Sequence, residues 1–314
     1  MKKSIKNLFY FCLPLLIIYV GLEIFLHSLD YEPKTKNEYL EKNKNNLEIL
    51  ILGASQTERA INPEFLDFNS INLAASSQGI YPNFCLFKYF APKLPKLKIV
   101  VLGMPFNAPN TPKEYTSPIV NHLNLAFYNV NTFGRATMPQ DYLLFHSNQD
   151  YFSSRIQNYF RDGNYSNLNK FGYDTTRFYG AYQAANYNIG KINKSEIHIE
   201  NEHNSKAIHN NARYLKKIIR SCKERNIKVV LYSSPTHFLY NEMRDTNLVY
   251  ERDSLVKNLM EEYENLYFFN DEDNSGFEAD LFYNANHLNP IGAKKASSNL
   301  KTFISKIIDN PKSF

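Results

Sequence analysis

The sequence predicts an α/β fold: a doubly wound parallel sheet between two layers of helices, with an aromatic-rich insertion and an N-terminal transmembrane helix. Short apolar segments alternate with amphipathic segments along much of the chain, which is typical of parallel strands joined by helices. Of the 314 residues, 43% are hydrophobic and 15% aromatic. The chain can therefore bury a sizeable core, and a disordered protein is excluded.

The predicted strands are compact apolar runs, and two of them end at a glycine, Gly53 and Gly103. Between and after them, apolar residues recur at intervals of three and four, which marks one face of a helix. The predicted strands are 47–52, 71–74, 98–103, 227–232 and 266–269, and the predicted helices are 81–90, 208–222, 255–260 and 293–307.

The amino terminus predicts a membrane anchor over residues 1–30. Three lysines within the first six residues precede an apolar stretch, 8–29, broken only by Glu23 and His27. This pattern fits a single-pass helix of the cell membrane that starts in the cytoplasm and leaves the C-terminal domain extracytoplasmic. A cleaved signal peptide is the alternative, but no small-x-small cleavage pattern follows the stretch. Glu23 contacts a partner helix or, as we prefer, sits near the membrane interface.

Residues 31–46 are charged and rich in asparagine and predict a linker that holds the domain off the membrane. The domain itself is expected over 47–314, with an insertion at about 107–201. This insertion is dense in tyrosine, phenylalanine and asparagine, and it is too long for a structureless loop in a compact domain. Its aromatic residues either form a stacking platform for sugars or, as we favour, a small core of their own.

The charge pattern and the metal-binding residue types exclude several functions. The net charge of +5 is dispersed, without the basic block that would follow a nucleic-acid backbone, so no nucleic-acid partner is predicted. The histidines show no metal-ligand spacing, so neither a metal nor another cofactor is predicted. Cys85 and Cys222 are expected to be buried free thiols, and Cys12 lies in the anchor.

Two short motifs supply candidate catalytic groups. Ser55 lies in Gly53-Ala54-Ser55-Gln56 at the end of the first strand, and His287 lies ahead of the last helix. Loops after different parallel strands converge at one edge of a sheet, so the two side chains could meet there. A serine hydroxyl needs a base to become a nucleophile, and His287 is the best-placed histidine. The alternative for Ser55 is a helix N-cap.

The two motifs, taken in order, resemble the SGNH (GDSL-like) hydrolase and acyltransferase superfamily in its membrane-anchored branch. The resemblance covers roughly residues 47–106 and 205–308. Besides the serine and histidine motifs, it is carried by Asn62-Pro63, Asn72-Leu73-Ala74, Ser77-Gln78 and the segment from His287 to Ala293.

This resemblance implies that Ser55 is the nucleophile and His287 the general base. It also implies that the backbone amides of Ser55 and Gly79 form part of an oxyanion hole. Asn107 is the nearest candidate for a third donor, although the family's Gly-x-Asn-Asp motif is absent. His237, after the fourth strand, either binds substrate or, as we favour, is an ordinary loop histidine.

One departure from the family pattern concerns the residue three positions before the histidine, where an aspartate is usual and this chain has Asn284. An amide oxygen can accept a hydrogen bond from the imidazole but supplies no charge. Asp271, Asp273 and Asp280 precede His287 closely, so one of them could take that place.

The resemblance implies a membrane-anchored serine esterase or O-acyltransferase acting on acyl groups of cell-surface glycans or cell-wall polymers. A polytopic acyl-donor protein is a possible partner. The alternative is a catalytically weakened or inactive SGNH-fold protein that binds or assembles components of an envelope polysaccharide pathway. Asn284 and the missing Gly-x-Asn-Asp motif motivate that alternative.

Overall fold

A computed structural model describes residues 2–163, 167–192, 194, 197–199 and 202–309. The strands are β1 (Ile49–Leu52), β2 (Ser70–Asn72), β3 (Ile99–Gly103), β4 (Lys228–Ser233), β5 (Leu266–Asn270), β6 (Phe282–Asn284) and β7 (His287–Leu288). The helices are α1 (Lys2–Ser28), α2 (Glu32–Asn43), α3 (Ser55–Ala60), α4 (Ile80–Phe90), α5 (Pro118–Tyr128), α6 (Leu144–Ser147), α7 (Gln149–Asp162), α8 (Ala181–Ala184), α9 (Ser205–Glu224), α10 (Phe238–Asn241), α11 (Thr246–Glu262) and α12 (Pro290–Asp309). Short 3₁₀ turns join several of them.

The main sheet has the strand order β2-β1-β3-β4-β5, and every pairing in it is parallel. The predicted doubly wound α/β fold is therefore confirmed. Successive strands are added toward one edge of the sheet up to β2 and toward the other edge from β3 onward. The crevice at the carboxyl ends of β1 and β3, where this order reverses, is where open α/β sheets bind ligands. β6 and β7 form a separate antiparallel hairpin.

Alternate residues of each strand enter two different cores, as a sheet covered on both faces requires. Leu50, Leu102 and Leu231 point into the core shared with α4, α9 and α11. Ile51, Val101 and Val230 point into the core shared with α12. Both sets are fully buried.

The structure differs from the predicted linker at 31–46. α2 occupies most of that segment, and its Leu40 is fully buried in the core beside β1. The charged composition concealed this packing because Lys36 is also buried, where it pairs with Glu32 at 2.5 Å and donates to the carbonyl of Ala74 at 2.8 Å. The segment therefore connects α1 rigidly to the domain.

The insertion contains α5 to α8, although residues 164–166, 193, 195–196 and 200–201 lie outside the described part of the chain. Phe152 and Tyr182 are buried, in agreement with the small-core interpretation, whereas Phe160 and Tyr179 are 77% and 81% exposed. Leu26 and Leu29 from the end of α1 share one core with Phe152. Within α1, Ile5–Ser28 has a mean hydropathy of 2.2 and is long and apolar enough to span a membrane.

Candidate active site

Ser55 is the first residue of α3, immediately after the turn that ends β1. Amide side chains on both sides hold this turn. The side-chain oxygen of Asn83 accepts the Gly53 N–H at 3.0 Å, and Gln78 donates to the Gly53 carbonyl at 3.2 Å. Gln78 also donates to Asn83 at 2.7 Å, so the two side chains support each other. The serine is thereby placed on a fixed backbone at the carboxyl edge of the sheet.

Gly103, at the end of β3, lets α3 come close to the sheet. A Cβ at this position would collide with the Thr57 hydroxyl and would also lie 3.2 Å from the Cα of Gly53. This close approach requires a glycine. It also fixes how far α3, which begins at Ser55, lies from the carboxyl ends of the strands.

Ser55 and His287, which are 232 residues apart in the sequence, meet in the structure. The serine Oγ lies 2.8 Å from Nε2 of His287. The other ring nitrogen, Nδ1, lies 2.9 Å from Oδ1 of Asn284. The β6–β7 hairpin supplies both Asn284 and His287, and β7 packs against α3. These distances are those of a nucleophile, a base and a group that orients the base.

The direction of these hydrogen bonds follows from Asn286. Its backbone N–H, which can only donate, lies 3.3 Å from Oδ1 of Asn284. This contact turns the amide oxygen of Asn284 toward the imidazole, so Nδ1 of His287 carries the proton and Nε2 is free to accept from Ser55. This tautomer is the one that a general base requires.

Of the three aspartates that could have replaced Asn284, two have side-chain partners elsewhere. Asp271 accepts from the side chains of Asn274 at 2.7 Å and Asn299 at 3.3 Å. Asp273 pairs with Arg244, and Asp280 lies in the 3₁₀ turn before β6. No hydrogen bond joins any of the three to His287 in the described part of the chain.

Burial and neighbouring cations keep the imidazole of His287 neutral. Desolvation is the larger effect and Arg59 the next; together with Arg177 they lower the His287 pKa to about 3, against the opposing effect of Glu58. The side chain is thus unprotonated at neutral pH, the state in which it can take a proton from Ser55.

Arg59 is a residue that the motifs did not reveal. It lies one helical turn after Ser55 on α3, and its guanidinium lies 4.5 Å from the centroid of the Tyr283 ring. Its Nε and Nη1 atoms are buried without a hydrogen-bond partner among the described residues. Its i+4 spacing from Ser55 was the signal available in the sequence.

Arg177 and Glu58 form a second charged group beside the site. Arg177 contacts three carboxylates: Asp174 at 2.9 Å, Glu58 at 3.1 Å and Glu32 at 3.4 Å. Glu58 also accepts from the Ser76 hydroxyl at 2.8 Å. This network joins the insertion to α2 and α3, and no motif indicated it because its members come from three distant segments.

The remaining predicted site residues have other partners in this structure. The N–H of Gly79 is directed at the Thr116 hydroxyl at 3.4 Å. Asn107 begins the 3₁₀ turn at Ala108–Asn110, and no hydrogen bond joins it to Ser55 or His287 in the described residues. The assignment of these two residues to an oxyanion hole therefore remains a prediction.

His237 is buried and lies among aromatic rings. Its ring centroid is 4.9 Å from that of Tyr182 and 5.4 Å from that of Phe282, and Nδ1 accepts from the Leu239 N–H at 3.4 Å. Burial lowers the pKa of His237 to about 4. His237 is therefore a buried histidine that packs against aromatic rings and caps the N-terminus of α10.

Next to His287 lies a cavity of about 530 Å³. Asn284 and His287 line one side, and Tyr182, Lys191 and His198 from the insertion line another. Two further cavities, of about 770 Å³ beside His237 and about 460 Å³ between α2, α5 and Arg177, are lined by neither Ser55 nor His287. His287 lines the cavity of about 530 Å³, although Ser55 does not, so this is the one of the three that borders the Ser55–His287 pair.

No protein-family model matches the chain, and no curated protein matches it. Among solved structures, the chain is similar to a protein from Bacteroides fragilis named provisionally as an acylhydrolase, with 11% identity over 86% of this chain and 95% of the other, at a TM-score of 0.40. It is also similar to a GDSL-like lipase from Bacteroides thetaiotaomicron, with 10% identity over 88% and 98%, at a TM-score of 0.39. Because both TM-scores are below 0.5, the proposal that follows rests on the geometry of this chain's own residues.

Proposed function

We propose that this chain is a membrane-anchored serine esterase or O-acyltransferase. The observation that carries the proposal is the chain of contacts from Ser55 through His287 to Asn284, at 2.8 Å and 2.9 Å. A serine, a histidine in the correct tautomer and an orienting amide are the parts that acyl transfer needs, and an asparagine performs the orienting role in papain-like proteases.

In the reaction, Ser55 Oγ attacks the carbonyl carbon of an ester while its proton moves to Nε2 of His287. The carbonyl oxygen becomes an oxyanion, and the N-terminal amides of α3, which have no partner within the helix, are donors close to Ser55. The tetrahedral intermediate then collapses: the ester C–O bond breaks, and the leaving alcohol takes the proton from His287. The acyl group remains on Ser55 as an ester.

The acyl-enzyme is resolved by water or by a sugar hydroxyl, which attacks the acyl carbon and loses its proton to His287. The bond between the acyl carbon and Ser55 Oγ then breaks, and the serine takes the proton back from His287. Water gives a free acid, whereas a sugar hydroxyl gives a new ester and makes the protein a transferase. We propose acyl groups of cell-surface glycans or cell-wall polymers as the substrates. The polar groups of the cavity at His287, including Asn286, Lys191 and His198, support a hydroxyl-rich acceptor there.

We further propose that α1 anchors the protein in the cell membrane and that the catalytic domain is extracytoplasmic. Its apolar segment, Ile5–Ser28, and the lysines before it support this orientation. A polytopic acyl-donor protein is the corresponding partner, since the described chain offers one candidate span and therefore no channel of its own.

The proposal is tested by labelling the full chain with a fluorophosphonate and by hydrolysis of p-nitrophenyl acetate. We expect labelling of the wild type and loss of both signals in Ser55→Ala and His287→Ala. Ser298→Ala and His209→Ala, which change exposed residues on α12 and α9, serve as matched controls and should retain both. An unlabelled wild type, with labelling only in Asn284→Asp, would instead favour a binding or assembly protein.

A further inference from the structure

The last turns of α1 are bound to the insertion through Glu23. Its carboxylate accepts the backbone N–H groups of Leu144 at 2.8 Å and Phe145 at 3.1 Å, and the side chain is only 7% exposed. These amides open α6, where they would otherwise have no acceptor. Glu23 therefore fastens α1 to the insertion, a role that the sequence did not predict.

Aromatic contacts continue this attachment toward the end of α1. The Phe25 ring meets Tyr159 edge-on at 5.0 Å and stacks with Phe160 at 6.2 Å between centroids. Two residues later, Nε2 of His27 lies 3.2 Å from the carbonyl oxygen of Tyr142. These contacts place part of the insertion level with residues 23–27 along the axis of α1. The part consists of α6, the end of α7 and the 3₁₀ turn before α6.

The length of α1 fixes that height relative to a bilayer. The candidate span, Ile5–Ser28, has 24 residues and is about 36 Å long, against a hydrocarbon layer of about 30 Å. A centred helix extends about 3 Å beyond the layer on each side, and Glu23 lies about 8 Å from the helix end. Residues 23–27 therefore straddle the outer boundary of the hydrocarbon.

Two large aromatic side chains of the insertion are exposed beside these turns. Phe160 is 77% exposed and Tyr142 48%. We call Tyr142 and Phe160 the membrane-side patch. Aromatic rings at this height are favourable because one part of the ring meets the acyl chains and the rest meets the headgroups.

We infer that the membrane-side patch is embedded in the headgroup layer of the bilayer that α1 spans. The inference rests on the membrane anchor of the proposed function, but not on the chemistry of Ser55. The patch gives the domain a second attachment beside α1, and α2, whose Lys36 and Leu40 are buried in the domain, connects α1 to it. The catalytic site is then held at a fixed height against the membrane, so its substrates are groups close to the bilayer surface.

The chain contains no tryptophan, so single tryptophans can report depth without background. The full chain is placed in lipid vesicles, which add no protein, and whose phosphatidylcholine is brominated at either a shallow or a deep acyl-chain position. Phe160→Trp and Tyr142→Trp report the patch. Tyr250→Trp, at a 73% exposed position on α11, is the matched control, and Ile17→Trp, 62% exposed on α1, reports the anchor. Circular dichroism confirms that each variant is folded.

For Ile17→Trp we expect strong quenching of the tryptophan fluorescence by bromine and a blue-shifted emission. For Phe160→Trp and Tyr142→Trp we expect quenching by bromine at the shallow acyl-chain position. For Tyr250→Trp we expect no quenching. If Ile17→Trp is quenched while Phe160→Trp and Tyr142→Trp behave like Tyr250→Trp, the inference is overturned and the anchor stands. If Ile17→Trp is not quenched, the anchor is refuted and the inference fails with it.

Discussion

Asn284→Asp should accelerate acylation of Ser55, because it adds a negative charge where the imidazole becomes positive. In the wild type, Oδ1 of Asn284 lies 2.9 Å from Nδ1 of His287 and receives the ring N–H. The aspartate keeps that acceptor in place and leaves the tautomer unchanged. Arg59 and Arg177, which lower the His287 pKa, offset part of the cost of burying the new carboxylate.

The expected gain follows from the pKa of the imidazole. A carboxylate in direct contact raises a histidine pKa by about 1–3 units, and each unit corresponds to about 1.4 kcal/mol. Since only part of the proton has moved in the transition state, we expect about 10- to 100-fold faster acylation. The reverse change in a serine protease costs about 10⁴-fold, largely because the tautomer is lost. The effect here is smaller because the Asn286 amide already fixes the tautomer.

The assay is the second-order rate of fluorophosphonate labelling as a function of pH. In Asn284→Asp the rate should rise, and its acidic limb should move to higher pH, because the imidazole is protonated more readily. Asn258→Asp, an exposed position on α11, adds the same charge away from the site and should leave the rate unchanged. A folded Asn284→Asp protein that labels no faster than the wild type would refute this account of the orienting residue.

Arg59→Gln should raise the pKa of His287 above its value of about 3, because a neighbouring cation is removed. On acidification, fluorophosphonate labelling of Ser55 should then be lost at a higher pH than in the wild type. Arg59→Lys keeps the cation and should keep the wild-type pH dependence of labelling. Gly103→Ala should lower stability by about 1–3 kcal/mol through its collision with Thr57; denaturant unfolding should show partial recovery when Thr57→Ala is added, and additive losses would contradict the contact. Glu23→Ala should accelerate hydrogen exchange of the two amides at the start of α6 that donate to the Glu23 carboxylate in the wild type. The opening free energy of each amide should fall by about 1–3 kcal/mol. In Glu23→Gln, which keeps one acceptor oxygen, exchange should be intermediate, and unchanged exchange in Glu23→Ala would show that the carboxylate does not hold α6.

Local pattern was sufficient to predict the five strands of the main sheet and to locate α4, α9, α11 and α12, but not α2 or α7. The runs at β1, β3 and β4 are buried on both sides, so most of their residues are hydrophobic, and the predicted bounds lie within two residues of the observed ones. The strand β5 was predicted one residue short, at 269 instead of Asn270, because its last residue is polar and exposed. The membrane candidate was equally clear, since a span is defined by length and composition alone.

The charged composition of residues 31–46 predicted a linker where the structure has a helix. Composition does not show whether a charge is buried, because the energy of a buried ion pair depends on its partners. Lys36 reads as a solvated charge in the sequence, yet Glu32 and the Ala74 carbonyl satisfy it inside the protein. The same limitation concealed Arg177, because two of its three carboxylate partners, Glu32 and Glu58, come from distant segments.

For the candidate site, the sequence by itself determined which residue types stand at the strand ends: Ser55 after β1, and Asn284 and His287 on the approach to α12. Only the tertiary structure decided that Asn284, and none of the nearby aspartates, meets the imidazole, and that the Asn286 amide turns its oxygen inward. The physical reason is range. Periodicity and turn chemistry act between neighbours in the chain, whereas hydrogen-bond partners and pKa values depend on atoms a few ångströms apart that folding alone brings together.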